Sequence, residues 1–275
     1  MKTVKIITGL VIMTACIYSC APKPYAATNK IYYSKARAFA NIIASPPKDS
    51  VIADSLKYPV YQAGTTNFGM RKPNMVILHY TAQSSCDLTL KTFTTPEREV
   101  SAHYVICKDG MLHHMLNDYL RGWHAGASKW GSNTDINSSS IGIEIDNNGK
   151  DSFSLAQLNT LNGLLAYLKK THSIPVANFI GHSDVAPARK SDPGVLFPWK
   201  SLAENGYGHW YGDTTGVMIP RDFNTSLALR IIGYDISNIP AAAVAFRQHF
   251  LATANAGDLN EREKKILFVL MQKYL

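Results

Sequence analysis

The stretch Met75-Val76-Ile77-Leu78-His79-Tyr80 constrains the fold more than any other feature. Four consecutive apolar residues shortly after Pro73 suit a strand covered on both faces, which a sheet provides only when layers of other structure pack on each side of it. The run stops at a histidine, so a polar group is delivered at a strand end, where sites in α/β proteins are usually built. His103-Tyr104-Val105-Ile106-Cys107 predicts a second strand. Lys108-Asp109-Gly110 reads as a hairpin turn, with a return strand over residues 111–115. In Ser140-Ile141-Gly142-Ile143-Glu144-Ile145 the isoleucines alternate, so Gly142 and Glu144 share the opposite face, and Asp146-Asn147-Asn148-Gly149 closes the strand with a turn. Residues 154–171 predict a helix. Ser154 and Gln157 form a capping box, Leu155, Leu158, Leu161, Leu165 and Leu168 make an apolar stripe, and Lys169-Lys170 occupy the last turn. Phe179-Ile180-Gly181-His182 is a further short strand ending in histidine. The sum is an α/β fold with a mixed central β-sheet flanked by helices.

From about residue 219 the texture changes. Residues 227–234, 241–252 and 261–274 predict three helices with no strand between them, a small C-terminal helical module near the lower size limit for independent folding. Phe246 and Phe250, four apart on one helix face, are assigned to its core. Residues 30–70 have weak periodicity and predict short helical or extended pieces packed on the main domain. At 275 residues, with 46% hydrophobic and 17% charged, the chain is neither disordered nor disulfide-scaffolded by its four cysteines. The expected organisation is a signal peptide over 1–19, a tether and packing segment over 20–68, a catalytic domain over 69–215 and the helical module over 219–275.

The N-terminus reads as an address. Lys2 and Lys5 precede an apolar stretch over residues 6–17, too short to span a membrane. Ile17-Tyr18-Ser19-Cys20 resembles a bacterial lipobox, so Cys20 is the expected site of acylation and of a lipid anchor; a plain secretory signal is the alternative. Ala21-Pro22-Lys23-Pro24 follows as an extended spacer. Removal of Lys2 and Lys5 takes the net charge from +8 to +6. That favours anionic polymers or headgroups at an envelope, with no nucleic acid expected. Cys86 and Cys107 are then left as either a disulfide or two small buried thiols.

His79 and His182 sit at two strand ends, and Asp192 follows ten residues after His182. Two histidines and a carboxylate give zinc three protein ligands and leave a fourth coordination position for water. Glu144, on the glycine side of its strand, is placed to take a proton from an attacking water, and Lys190 to stabilise a developing oxyanion. By spacing alone a core or surface role remains open for each of these residues.

The order of the motifs narrows this. Leu78-His79-Tyr80-Thr81-Ala82, Ser101-Ala102-His103-Tyr104, Gly122-Trp123-His124-Ala125-Gly126, Ser140-Ile141-Gly142-Ile143-Glu144, Gly181-His182-Ser183-Asp184 and Lys190-Ser191-Asp192-Pro193-Gly194 occur in that sequence. The series resembles the zinc-dependent N-acetylmuramoyl-L-alanine amidase family over roughly residues 70–200, most closely its bacterial outer-membrane lipoprotein members. Those carry a C-terminal helical module that looks like a peptidoglycan-binding domain. The resemblance implies Zn²⁺ held by His79, His182 and Asp192, with Glu144 and Lys190 as the catalytic pair. It implies Trp123, His124, His103 and Tyr80 as substrate-side residues, His103 supporting the site rather than ligating metal. The implied reaction is hydrolysis of the amide between N-acetylmuramic acid and L-alanine in peptidoglycan or muropeptides, by a protein lipid-anchored at the outer membrane and facing the periplasm. Some relatives have a tyrosine where this chain has Ala102, so proton transfer rests on Glu144; others have cysteine in place of Asp192. A non-catalytic peptidoglycan-binding lipoprotein and a zinc peptidase acting on the stem peptide are the rival readings. Outside the motifs, His172, His209 and His249 are read as surface or helix-end residues, and His113 and His114 as hairpin residues with one facing solvent. Residues 207–212 form an aromatic loop that either lines a sugar site or seals an interface.

Overall fold

The computed structural model describes residues 25–44 and 65–275, in two compact units divided after Phe68. The expectations for the signal segment, Cys20 and the Ala21–Pro24 spacer lie outside the described residues. In the first unit, α1 (Ala26–Ala44) is one 19-residue helix with no buried residue. Where short pieces were expected from residue 30 onward, residues 30–44 therefore belong to one continuous helix, and residues 45–64 of that expectation lie outside the described residues. The segment is rich in alanine and free of glycine and proline, so helix propensity alone carries it through weak periodicity. No helix among the described residues is long and apolar enough to cross a membrane.

The second unit contains β1 (Met75–Tyr80), α2 (Cys86–Thr94), β2 (Tyr104–Ile106), β3 (Leu112–His114), α3 (Ile136–Ser139), β4 (Ser140–Ile145), α4 (Leu155–His172), β5 (Phe179–Gly181), α5 (His182–Val185), α6 (Trp199–Glu204), α7 (Thr225–Ile232), α8 (Ile239–Leu251) and α9 (Glu261–Met271). The strands form one sheet in the order β3-β2-β4-β1-β5. Neighbouring strands are parallel except for β3, which returns antiparallel to β2 at one edge.

The two sheet faces explain the uninterrupted apolar run of β1. Val76 and Leu78 join Ile141, Ile143 and Ile145 of β4 and Leu161, Leu164, Leu165 and Leu168 of α4 in one core. The capping box of Ser154 and Gln157 starts α4 as expected, while Leu155 at its first position is exposed and lies outside the stripe. Met75, Ile77 and Ile180 point the other way, into a core shared with Trp130, Ile136 and the three C-terminal helices. Phe246 and Phe250 are buried in it, as their spacing predicts. The C-terminal helices thus form where the sequence places them, and their apolar faces are continuous with the underside of the sheet.

Cys86 and Cys107 are joined as a disulfide, with Cα atoms 5.3 Å apart, tying the start of α2 to the end of the β2 strand. His113 is half-buried and His114 exposed, with the His114 ring stacked on Tyr104. Two histidines lie in the last turns of their helices, as one of the two expectations had it, but buried and not at the surface. His172 is buried and its Nε2 meets Asp118 Oδ2 at 2.9 Å, while the Tyr104 hydroxyl donates to Asp118 Oδ1. His249 is also buried, stacked on Trp199. Each is tolerated inside because a carboxylate accepts its ring proton. In the aromatic loop, Tyr207 is buried against Phe179, and Trp210 packs on Phe250.

Candidate active site

The site lies at the carboxyl ends of the parallel strands, the usual position for a site on such a sheet. His79 is the fifth residue of β1, and its register partner on β4 is Glu144. Paired residues on adjacent strands point to the same face, so both side chains emerge side by side. Strand β5 runs directly into α5, which begins with His182. The following loop folds back so that the Ser183 amide donates to the Asp192 carbonyl at 2.8 Å. A stretch of ten residues is thereby closed and Asp192 faces the two histidines.

Three atoms converge. His79 Nδ1 and His182 Nδ1 are 3.0 Å apart, and Asp192 Oδ2 lies 2.9 Å from the first and 3.0 Å from the second. All three residues are buried. The far side of each ring fixes what the near side presents. His182 Nε2 donates to the Ala125 carbonyl at 3.0 Å, which leaves Nδ1 as a bare lone pair. His79 Nε2 lies 3.1 Å from His124 Nδ1, and His124 Nε2 lies 3.3 Å from Ser140 Oγ, whose hydroxyl donates to the Ile136 carbonyl. With the His124 proton on Nε2, the relay runs from His79 through His124 to Ser140, and His79 too presents a lone pair inward. Burial, with His182 nearby, pushes the His79 pKa down to about 4, so the ring is neutral near pH 7. Two imidazole nitrogens and a carboxylate oxygen in mutual contact form a donor set that fits a divalent cation of the zinc class. The outer hydrogen bonds on both rings are those expected of metal-ligating histidines.

Glu144 stands beside this triad. Its Oε2 is buried and makes no hydrogen bond. Burial raises its pKa well above the ordinary value, the Asp192 charge adds to the rise, and Lys190 opposes it. A carboxylate left without a partner inside a groove is suited to proton transfer. Lys190 is exposed on the same wall. The groove has a volume of about 390 Å³ and includes Tyr80, Trp123, His124 and Arg189 in its lining. Trp123 is half exposed there. The Tyr80 hydroxyl lies 3.0 Å from Ser191 Oγ.

The structure therefore brings together His79, His182, Asp192, Glu144, Lys190, Tyr80, Trp123 and His124. It does not bring His103 to the groove. That ring is fully enclosed, accepting the Gly142 amide at Nδ1 and facing the Leu120 carbonyl with Nε2. Its place is behind the site, where a substrate contact is sterically blocked. His124 faces both ways, with one edge on the groove and its ring against His79. Gly142 makes room for it, because a Cβ at that position would run into the His124 ring. Sequence reasoning missed the supports. Asn137 Oδ1 accepts the amides of His124 and Ala125, and Arg189 donates to the Ala125 and Ala127 carbonyls. Their only signal in the sequence is adjacency to motifs, since their bonds reach distant backbone.

Residues 69–195 match the family model described as N-acetylmuramoyl-L-alanine amidase. The chain is 30% identical over 231 residues to N-acetylmuramoyl-L-alanine amidase AmiD of Escherichia coli, covering 73% of this chain and 83% of that protein. The fold superposes with a TM-score of 0.67 on E. coli AmiD solved with anhydro-N-acetylmuramic acid-L-Ala-D-gamma-Glu-L-Lys, at 28% identity over 79% of this chain and 96% of that one. AmpDH3 from Pseudomonas aeruginosa gives a TM-score of 0.67 at 30% identity, over 80% and 98%. The mixed sheet, the converging histidines and carboxylate, and a match over most of both chains together place this protein in the N-acetylmuramoyl-L-alanine amidase family.

Proposed function

We propose that the chain is an exported zinc amidase that cleaves the amide between N-acetylmuramic acid and L-alanine in peptidoglycan or muropeptides. The observation that carries this reading is the unpartnered Glu144 carboxylate beside three converging metal-donor atoms, in a chain of the amidase family. The similar E. coli protein is solved with a muropeptide substrate, which supports a muropeptide in this groove. Zinc held by His79, His182 and Asp192 would supply Lewis acidity, lowering the pKa of a water and polarising the amide carbonyl. Glu144 accepts the proton of the attacking water and returns it to the leaving amine of L-alanine. Its raised pKa suits both halves of that transfer. Lys190 stabilises the developing oxyanion as a point charge. Trp123 gives a sugar or methyl face a surface to pack on, and Tyr80 lines the same wall. Ala102 is fully buried and offers no proton-transferring group, so Glu144 acts without a tyrosine from that position.

The test uses the soluble chain from Ala21 onward and a defined muropeptide, with products read by mass spectrometry. Free stem peptide beginning with L-alanine, together with a peptide-free muramyl sugar, is the expected result; it disappears with chelator and returns with zinc. An uncut but bound muropeptide would make the chain a wall sensor, and a shortened stem still on its sugar would make it a peptidase.

The lipid anchor on Cys20 and a site at the outer membrane facing the periplasm belong to the same proposal. The lipobox-like Ile17-Tyr18-Ser19-Cys20 and the absence of an acidic residue after Cys20 support them. Expression of the full chain should give a membrane-bound protein, and Cys20→Ser a soluble or unprocessed one.

A further inference from the structure

Asp184 lies two residues after His182 and is completely buried. Its oxygens are met from two distant parts of the chain. Oδ2 accepts the Gly181 amide at 2.7 Å and the His249 Nδ1 proton at 2.7 Å, and Oδ1 accepts the Tyr234 hydroxyl at 2.8 Å. Gly181 is the last residue of β5 and the immediate predecessor of His182. It is held tightly, since a Cβ there would meet Pro193 Cδ at 2.8 Å and Trp199 at 3.0 Å. His249, from the middle of the C-terminal helices, is fixed in turn by stacking on Trp199, with ring centroids 3.8 Å apart. Tyr234 follows α7 and packs edge-on against Trp130. Beside it, the Gly131 amide donates to the Gly233 carbonyl at 2.7 Å.

We infer that Tyr234 and His249 are positioning residues for the metal site, acting through Asp184. Resting on the reading of His79, His182 and Asp192 as metal ligands, this makes the C-terminal helices part of the metal site as well as any wall-binding surface. The reason is geometric. On the side of the His182 ring, the Ala125 carbonyl sets the orientation; on the side of its backbone, the sheet pairing ends at Gly181, the Ser183 amide is tied to the Asp192 carbonyl, and α5 is only four residues long. Asp184 adds a constraint from outside this stretch by tying the Gly181 amide to two side chains of the packed helices. A buried carboxylate keeps its place only while its donors stay, because an unpartnered charge there is strongly disfavoured. Supports of this outer kind typically change metal affinity by about 10- to 100-fold when removed.

The experiment compares the whole soluble chain with Tyr234→Phe, with Tyr234→Phe/His249→Phe, and with Leu267→Ala. The last deletes core volume from α9 without touching Asp184. Zinc affinity is read by competition with a chromophoric chelator, and ligand geometry by the d–d spectrum of the cobalt-substituted protein. The double variant should bind zinc about tenfold or more weakly with an altered cobalt spectrum, and Tyr234→Phe should fall between it and the parent. Leu267→Ala should lower the melting temperature while leaving affinity and spectrum unchanged. If Tyr234→Phe, folded, keeps the parent's affinity and spectrum and the double variant does too, the inference is wrong. An equal loss of affinity in Leu267→Ala at matched stability would also overturn it. Failure of the unaltered chain to bind zinc at all would instead remove the metal reading, and the inference with it.

Discussion

Asp184 and Asp192 lie eight positions apart on the same stretch of chain, are both buried, and both touch imidazoles, yet they do opposite work. Asp184 receives three hydrogens, from a backbone amide, a hydroxyl and a histidine ring. Its charge is matched from within the protein. Asp192 meets two histidines whose ring protons are directed elsewhere, to Ala125 on one side and His124 on the other. Three lone-pair donors then face one another, a set whose charge is matched only by a cation. The residue types are the same at both places. The difference lies in where the hydrogens point, and that is set by the second nitrogen of each ring.

Several substitutions should separate these two carboxylates. The largest effect belongs to Asp192→Ala, which should remove zinc and reduce hydrolysis to background. The metal-free fold should lose little, because a repulsive cluster is relieved; a large loss of apo stability in a melt would contradict the open-set reading. Glu144→Gln comes next. It should keep zinc, measured by elemental analysis, and lose about 10²- to 10⁴-fold in kcat, the usual worth of general acid–base catalysis. Asp184→Asn should differ from Asp192→Ala. It leaves the buried donors mismatched and should cost about 3–5 kcal/mol in denaturant-measured stability already in the metal-free chain, and it should weaken zinc binding without abolishing it.

Much of this fold was legible in the sequence, for reasons particular to each element. The apolar run of β1 needed two covered faces and received them, and the alternation in β4 placed Glu144 opposite its isoleucines, next to His79. The capping box of α4 was local chemistry and was read correctly. The convergence of His79 and His182 was legible because strand ends are recognisable and because the motifs recur in a known order. What was not legible depends on long-range pairing. Nothing near His249 in the chain signals Asp184, 65 residues away, or near His172 signals Asp118, 54 residues away. Both rings carry enough polarity to read as surface groups, and only the packed fold reveals the acceptor. The helix α1 was missed for another reason, since a helix without a buried face has no apolar period to detect.

The closed kind of constellation recurs farther along the chain and offers a pH test. Arg247 and Glu263 are buried together, joined through two hydrogen bonds of 2.9 and 3.0 Å, and the guanidinium also donates to the carbonyls of Asn255, Gly257 and Asp258. The guanidinium bonds hold the Glu263 carboxyl below its ordinary pKa, against a smaller upward push from burial. A depressed folded-state pKa adds stability above the unfolded value of about 4.3, and that stability is lost as pH falls through the folded value. The parent should therefore lose stability as pH falls below the unfolded value, and Glu263→Gln should show a flatter profile there. Unlike the metal cluster, this slope should be indifferent to zinc. An equal slope in parent and variant would assign the acid sensitivity to other carboxylates.

The smallest expected effect probes the wire behind the open set. Ser140 accepts from His124 and donates to Ile136, which fixes the His124 tautomer and, through it, the proton on His79 Nε2. Ser140→Ala removes one oxygen at a fully buried position and leaves every ligand in place. If the relay sets the inward lone pair of His79, zinc affinity should fall by about tenfold, at the low end of outer-shell effects, with kcat at saturating zinc nearly unchanged. A Ser140→Thr variant, which keeps the hydroxyl, should recover part of the loss. Unchanged affinity in Ser140→Ala would mean that Asp192 alone orients His79, and the two carboxylates would then differ by their own contacts and not by the hydrogens behind them.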